Sequence, residues 1–217
     1  MTGFVLTLAG ASFSYGPPAI GAAYGGGYFA GQISTAGTGV ADYNLVVAPY
    51  ASGQSILQWK TTNTATSGTS SNIDGPTNSS NMNNATHPAA QFCEGLSIGG
   101  FSDWYMPAKN ELEVCYYNLK PSTNANSTRS GTNTNAVPSR GSNYTSGTPA
   151  QTSATDFKVG GAQAFDSLYS YWCSTQSPSP FDTDYAWVQA FLTGYQSYAS
   201  FTKTSSVRVR AVRRVAV

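Results

Sequence analysis

Gly99-Gly100-Phe101-Ser102-Asp103-Trp104-Tyr105-Met106-Pro107-Ala108-Lys109-Asn110-Glu111-Leu112 is the stretch from which the architecture can be read. It joins two segments of helical spacing. Upstream, Ala89, Phe92, Cys93 and Leu96 recur at i, i+3, i+4 and i+7, with Thr86 as the expected cap and Pro88 in a first turn that needs no donor. Gly99-Gly100 ends that helix. Downstream, Pro107 opens a second helix in which Leu112, Cys115, Tyr116 and Leu119 share one face, and Lys120-Pro121 closes it. Between them Trp104 carries a large apolar ring expected to be buried, and Asp103 is placed to accept donors near a turn. Glu111 fits a first-turn carboxylate facing the positive end of the helix, with Arg210 or Arg213 as candidate partners for it or for Asp103.

Working outward, Tyr28–Ile33 and Leu45–Pro49 read as two strands of one hairpin, entered through Gly25-Gly26-Gly27. Residues 61–84 are almost entirely Thr, Ser, Asn, Gly and Ala and read as a long loop; residues 121–156 form a second irregular polar tract. The last part of the chain reads as a meander of strands at 169–175, 185–192, 195–202 and 207–213, with Thr193-Gly194 as its tightest turn. Val207, Val209 and Ala211 alternate with Arg208 and Arg210, which predicts a final strand with one buried and one largely basic face. The fold class expected from this order is α+β, with an N-terminal β-hairpin, two helices, a C-terminal antiparallel meander and long polar loops. Residues 1–19, apolar and cut off by Gly16-Pro17-Pro18, are expected to form a docking arm, and 20–217 the domain.

Ser, Thr and Asn number 28, 24 and 14, while only 10% of the 217 residues are charged, so the surface is kept soluble largely by uncharged polar groups. Eleven basic and ten acidic residues nearly cancel, which disfavours nucleic-acid binding. The leader has no basic n-region and no stretch is apolar enough to span a membrane, so neither export by a signal peptide nor membrane insertion is expected. Three cysteines without C-x-x-C spacing read as buried thiols, with a Cys93–Cys115 bond as the alternative. His87, the single histidine, reads as a helix-start residue rather than a ligand or base, and no metal or cofactor is expected. Asp156, Asp166, Asp182 and Asp184 include no pair whose spacing selects it for glycoside cleavage, so no catalytic residue is expected.

Four motifs in order resemble the family of the Lcl C-terminal domain, also called DUF1566. The first is the stretch quoted above. The others are Tyr171-Trp172-Cys173-Ser174-Thr175, Ala186-Trp187 with Phe191, and Val209-Arg210-Ala211-Val212-Arg213. The resemblance runs from about residue 25 to 214. Cys173, Met106 and Val207-Arg208 depart from the family pattern. The resemblance implies a C-type lectin-like fold, shared with formylglycine-generating enzymes and phage tropism determinants, and a place among bacteriophage virion proteins. The single histidine and the absence of a matching cysteine pair set aside the enzymatic relatives.

The function expected is therefore non-enzymatic: a virion component, on tail or capsid, that displays a lectin-like domain to a host cell-surface glycan or protein. Its arm would contact other virion proteins, and the chain is expected to form a homo-oligomer. A structural decoration or connector protein is the alternative. Residues 169–201 hold ten of the 28 aromatic residues, more than alternation can bury. Trp172, Trp187 and Phe191 are assigned to the core with Trp104, Leu112, Cys115 and Tyr116. Phe181, Asp182, Asp184, Tyr185, Tyr195, Tyr198 and Phe201 are the candidate receptor contacts, because Tyr and Phe on turns give contact area at low entropic cost.

Overall fold

Ala211 is the residue at which the two sheets of the molecule meet. The computed structural model describes residues 16–178 and 183–217; residues 1–15, most of the expected arm, lie outside the described residues. Strand β1 (Ala23–Tyr24), β2 (Gly27–Ile33), β3 (Tyr43–Val47), β5 (Ala136–Val137) and β10 (Val212–Ala216) form one sheet, in the order β1-β2-β3-β10 with β5 also on β2. Strand β4 (Gln54–Gln58), β6 (Ser170–Gln176), β7 (Ala186–Ala190), β8 (Gln196–Ser197) and β9 (Ser206–Arg210) form the other, in the order β4-β9-β6-β7-β8. The expected β2–β3 hairpin is present, antiparallel, with Tyr28 opposite Val47. The fold is α+β.

The C-terminal meander is present as far as β6-β7-β8, paired antiparallel in turn, and needs correction in its last strand. β9 does not follow β8 but inserts between β4 and β6, and pairs with β6 in parallel. β9 lies along β4 and β10 lies along β3, so one antiparallel ribbon bends through both sheets. The bend is tied by Ala48 N–H to the Ala211 carbonyl and by Ala211 N–H to the Gly53 carbonyl, each 2.9 Å. Helix α1 (Tyr50–Gly53) makes the matching turn between β3 and β4.

Helix α4 (Lys109–Leu119) packs on β2 of one sheet and on β6 and β7 of the other. Its expected face is buried, Leu112, Cys115, Tyr116 and Leu119 each at 1% exposure or less. Because sheets and loops surround it, Glu111, Glu113 and Val114 are buried as well. Close approach of the helix to β2 fixes Gly31, whose φ is +132°, and where a Cβ would stand 2.3 Å from Asn118 Nδ2. Trp104, Trp172 and Phe191 are buried as expected, whereas Trp187 is only half-buried and belongs to the surface described below.

Two short helices complete the fold. α3 (Pro88–Glu94) begins at Pro88 as expected, but His87, not Thr86, holds the cap position; the Thr86 hydroxyl is engaged by Asn84 at 2.6 Å. The 61–84 tract contains a helix that its composition hides, α2 (Gly75–Ser80), where Asp74 accepts the Thr77 N–H and Pro76 fills the first turn. Asn78 of α2 is buried and donates to the Ser71 carbonyl at 2.7 Å. Among the described residues all three cysteines are free, so the Cys93–Cys115 bond is not formed.

Candidate functional site

The arginines of the last strands decide what the surface can be. Alternation predicts Arg208 and Arg210 on a basic outer face, yet Arg210 is 1% exposed; Arg213, two residues beyond Ala211 on the other face, is 7% exposed. The rest of the chain covers them, and each guanidinium fastens a separate segment. Arg208 Nε meets Asp166 at 2.5 Å. Arg210 donates to the carbonyls of Ala48 at 2.9 Å and Gln163 at 2.8 Å. Arg213 grips both oxygens of Asp103, at 2.7 and 2.9 Å, lies over the Phe101 ring and donates to the Gly25 carbonyl. Arg214, not Arg210 or Arg213, is the partner of Glu111, at 2.8 Å.

Glu111 is the centre of a second buried knot. Its Oε1 also accepts from the Tyr105 hydroxyl at 2.5 Å, and its Oε2 from the Ala108 N–H at 2.8 Å, as a first-turn carboxylate should. Burial raises its pKa, against the opposing pull of Arg214 and these donors. Gly75 touches it closely enough that a Cβ there would fall 2.1 Å from Oε2. Two residues on, Glu113 binds Arg140, the Tyr144 hydroxyl at 2.6 Å and Asn133 Nδ2 at 2.5 Å, pinning the 121–156 tract. The conspicuous charges of the chain are thus spent on holding polar loops to the sheets.

The other chemistry-bearing groups are similarly occupied. His87 Nε2 faces Thr66 Oγ1 and Nδ1 faces Asn84 Oδ1, both at 2.9 Å, and burial with Lys60 and Lys203 nearby lowers its pKa to about 4. Burial pushes the thiols of Cys93, Cys115 and Cys173 up, away from the thiolate. Asp166 is tied to Arg208, and Asp184 lies at the turn before β7, its carbonyl accepting the Lys203 N–H at 2.7 Å. Among the described residues no three His, Cys, Asp or Glu come together as a metal-binding group.

One surface left for contact is the β7–β8 hairpin. Gly194, with φ +72°, turns the chain, and the Ala190 N–H closes on the Tyr195 carbonyl at 2.9 Å. Tyr195 is 39% and Tyr198 37% exposed. Tyr198 packs edge-on against Trp187 at 5.1 Å, and Lys109 Nζ stands 4.8 Å from the Trp187 ring centre. Burial lowers the Lys109 pKa, and among the described residues its ammonium has no carboxylate within ion-pair distance. Two clefts flank exposed Arg129: one of about 140 Å3 lined by Lys109, Trp187 and Gln196, the other of about 400 Å3 lined by Asn126, Thr193 and Tyr195. No Asp or Glu lines either.

The other candidate contacts lie elsewhere. Tyr185 is half-buried and bridges Thr202. Phe201, 37% exposed, leans edge-on toward Trp172 and shares a cleft with Ile56 at the opposite edge of the sheet from β8. Phe181 and Asp182 lie outside the described residues. Sequence reasoning missed Lys109 and Arg129, which sit beside the hairpin only because α4 and the 121–156 tract pack against β7 and β8.

The molecule is therefore an α+β domain whose two sheets share a bent ribbon, with irregular polar loops anchored by buried arginines and carboxylates. The family model of the Lcl C-terminal domain matches residues 53–213, well over half of the chain, and the chain belongs to that family. The Arg213–Asp103 clasp joins the first and last of the family-like motifs, and Trp104 of the first and Trp172 of the second fill the core. Comparison with curated proteins and with solved structures returned no match.

Proposed function

We propose that this chain is a surface-displayed, adhesin-type protein, in particular a bacteriophage virion component whose lectin-like domain binds a host cell-surface glycan or protein without catalysing a reaction. Family membership supports the surface or adhesin-type part of this reading. The observation that carries the rest is the hairpin face, where Tyr195, Tyr198, Trp187, Lys109 and Arg129 are grouped on a framework whose buried carboxylates Glu111 and Glu113 are internally paired. Aromatic residues and Arg at such a face are the side chains that most often dominate binding energy. The tight β7–β8 turn and the Trp187–Tyr198 contact hold these side chains before a partner arrives, which lowers the entropic cost of binding.

The test is the Tyr195→Ala, Tyr198→Ala double variant. Removing two contact tyrosines should weaken adsorption to host cells at least about tenfold, with an unchanged thermal melt. Normal adsorption by intact particles would refute the assignment of this face. Loss of particle assembly would move the face to the decoration or connector reading, in which it meets a neighbouring virion subunit.

A further inference from the structure

Away from the hairpin, a cleft of about 420 Å3 opens between Tyr50 and the 159–169 loop. Tyr169 stands at its rim with 51% of its surface exposed. One face of its ring is taken by Arg208, whose guanidinium carbon lies 3.4 Å from the ring centre. Arg208 is itself fixed by Asp166, Nε to Oδ2 2.5 Å. A ring clamped on one face in this way presents its other face to solvent in a set orientation. The same ring also borders the cleft of about 300 Å3 that contains Ile56 and Phe201.

The polar groups around it are arranged asymmetrically. Asp166 Oδ2 receives Arg208, Gln54 Nε2 at 3.3 Å and, at 3.5 Å, the Tyr50 hydroxyl, whereas Oδ1 makes no bond to a described residue. Ser167 lines the same cleft, beside apolar Leu168, which is 74% exposed. Asp166 and Arg208 cancel each other's charge, so the cleft has no net preference for an anion or a cation. A fixed aromatic face, an open carboxylate oxygen and hydroxyls within one neutral cleft match a pyranose ring, which has an apolar C–H face and a rim of hydroxyl donors.

We propose that the Tyr50–Asp166–Tyr169 cleft binds a neutral saccharide. The sugar's C–H face lies on Tyr169, and its hydroxyls donate to Asp166 Oδ1 and exchange hydrogen bonds with Ser167 and Tyr50. The site is separate from the hairpin face and uses none of its side chains. It stands whether or not the hairpin contacts a host receptor.

The test is an amide chemical-shift titration of the full chain with methyl glucoside, methyl galactoside, methyl mannoside and N-acetylglucosamine at millimolar concentrations, with glucuronate as the charged control. At least one neutral sugar should shift amides of Tyr50 and residues 163–170. Tyr169→Ala should weaken that binding at least about tenfold with an unchanged melt, and Tyr169→Phe should retain it. Ser167→Trp, which fills the cleft while leaving Tyr169 in place, should abolish it. The Tyr195→Ala, Tyr198→Ala variant should bind the sugar as the parent does, so failure here and failure of the hairpin reading are told apart. The proposal is overturned if no neutral sugar perturbs these amides, if binding survives both Tyr169→Ala and Ser167→Trp, or if glucuronate binds tenfold more tightly than the glucoside.

Discussion

Arg214→Leu removes the guanidinium that neutralises Glu111. In the native domain Glu111 is fully buried, and the side chains of the pair are 12% and 0% exposed. That burial places it with interior pairs, where deleting one partner costs about 3–5 kcal/mol, rather than with surface pairs worth about 0–1 kcal/mol. The variant keeps the Tyr105 hydroxyl and the Ala108 N–H as donors, but strands a carboxylate against Gly75 and leaves the Ile73 carbonyl with the Gly75 N–H in place of two donors. The stranded carboxylate relieves itself by taking a proton, so its folded pKa rises above the unfolded value of about 4.3. The folded variant then holds a proton that the unfolded chain has lost, and its stability falls as pH rises from about 4 through the folded pKa. Glu111→Gln added to Arg214→Leu removes the charge while keeping an acceptor for the Ala108 N–H. The double variant should regain about 2 kcal/mol over the single one at pH 7, a coupling expected of residues in direct contact. Urea unfolding followed by tryptophan fluorescence, at pH 7 and pH 5, reads all three quantities. A loss below about 1 kcal/mol for Arg214→Leu would refute the reasoning, since that is the scale of a solvated pair, and so would a double variant no more stable than the single one.

Trp104→Ala should cost about 3–5 kcal/mol in the same assay, because it empties a site 1% exposed and removes the indole donor to the Phe101 carbonyl; a loss under about 1 kcal/mol would place the ring outside the core. His87, with a folded pKa of about 4 against about 6.5 unfolded, leaves the unfolded chain binding the extra proton, so stability should drop as pH falls from about 6.5 to about 4. His87→Gln should flatten that part of the melting profile, and parallel profiles for parent and variant would contradict the assignment. The three buried thiols should react with a thiol reagent only at the rate of global unfolding, and rapid labelling of any one in the native protein would place it at the surface.

What could be read from the sequence is what depends on neighbours along the chain. The β2–β3 hairpin, the apolar face of α4 and the burial of Trp104 follow from alternation, from 3.6-residue spacing and from ring size. Helix α2 escaped because its residues are polar and its burial is of amides and hydroxyls, Asn78 and Ser79 above all, which no hydrophobic pattern reports. The burial of Arg210 escaped for a related reason: strand alternation says which side chains share a face, but not that the rest of the chain will cover it; Arg213, by contrast, meets Asp103, one of the two partners its sequence offered. Crossing from one sheet to the other at Ala211 depends on Gly53 and Ala48, more than 150 residues earlier in the chain. Of the candidate surface, Tyr195 and Tyr198 were legible from the Thr193-Gly194 turn. Lys109 and Arg129 were not, since only tertiary packing brings them to Trp187.

The ribbon that bends at Ala211 also sets an order of events during synthesis. Residues 206–216 supply an interior strand of one sheet and the outer partner of β3 in the other, together with the four arginines that fasten the loops at 25, 73, 103 and 163–166. On the ribosome every one of those segments emerges first and waits, its carboxylates and carbonyls still served by water. β4 and β6 have no strand between them until the final stretch of this domain clears the exit tunnel. Completion of both sheets and capture of those four segments therefore wait for the same late stretch of chain, whereas the 121–156 tract, pinned through Glu113, does not depend on it.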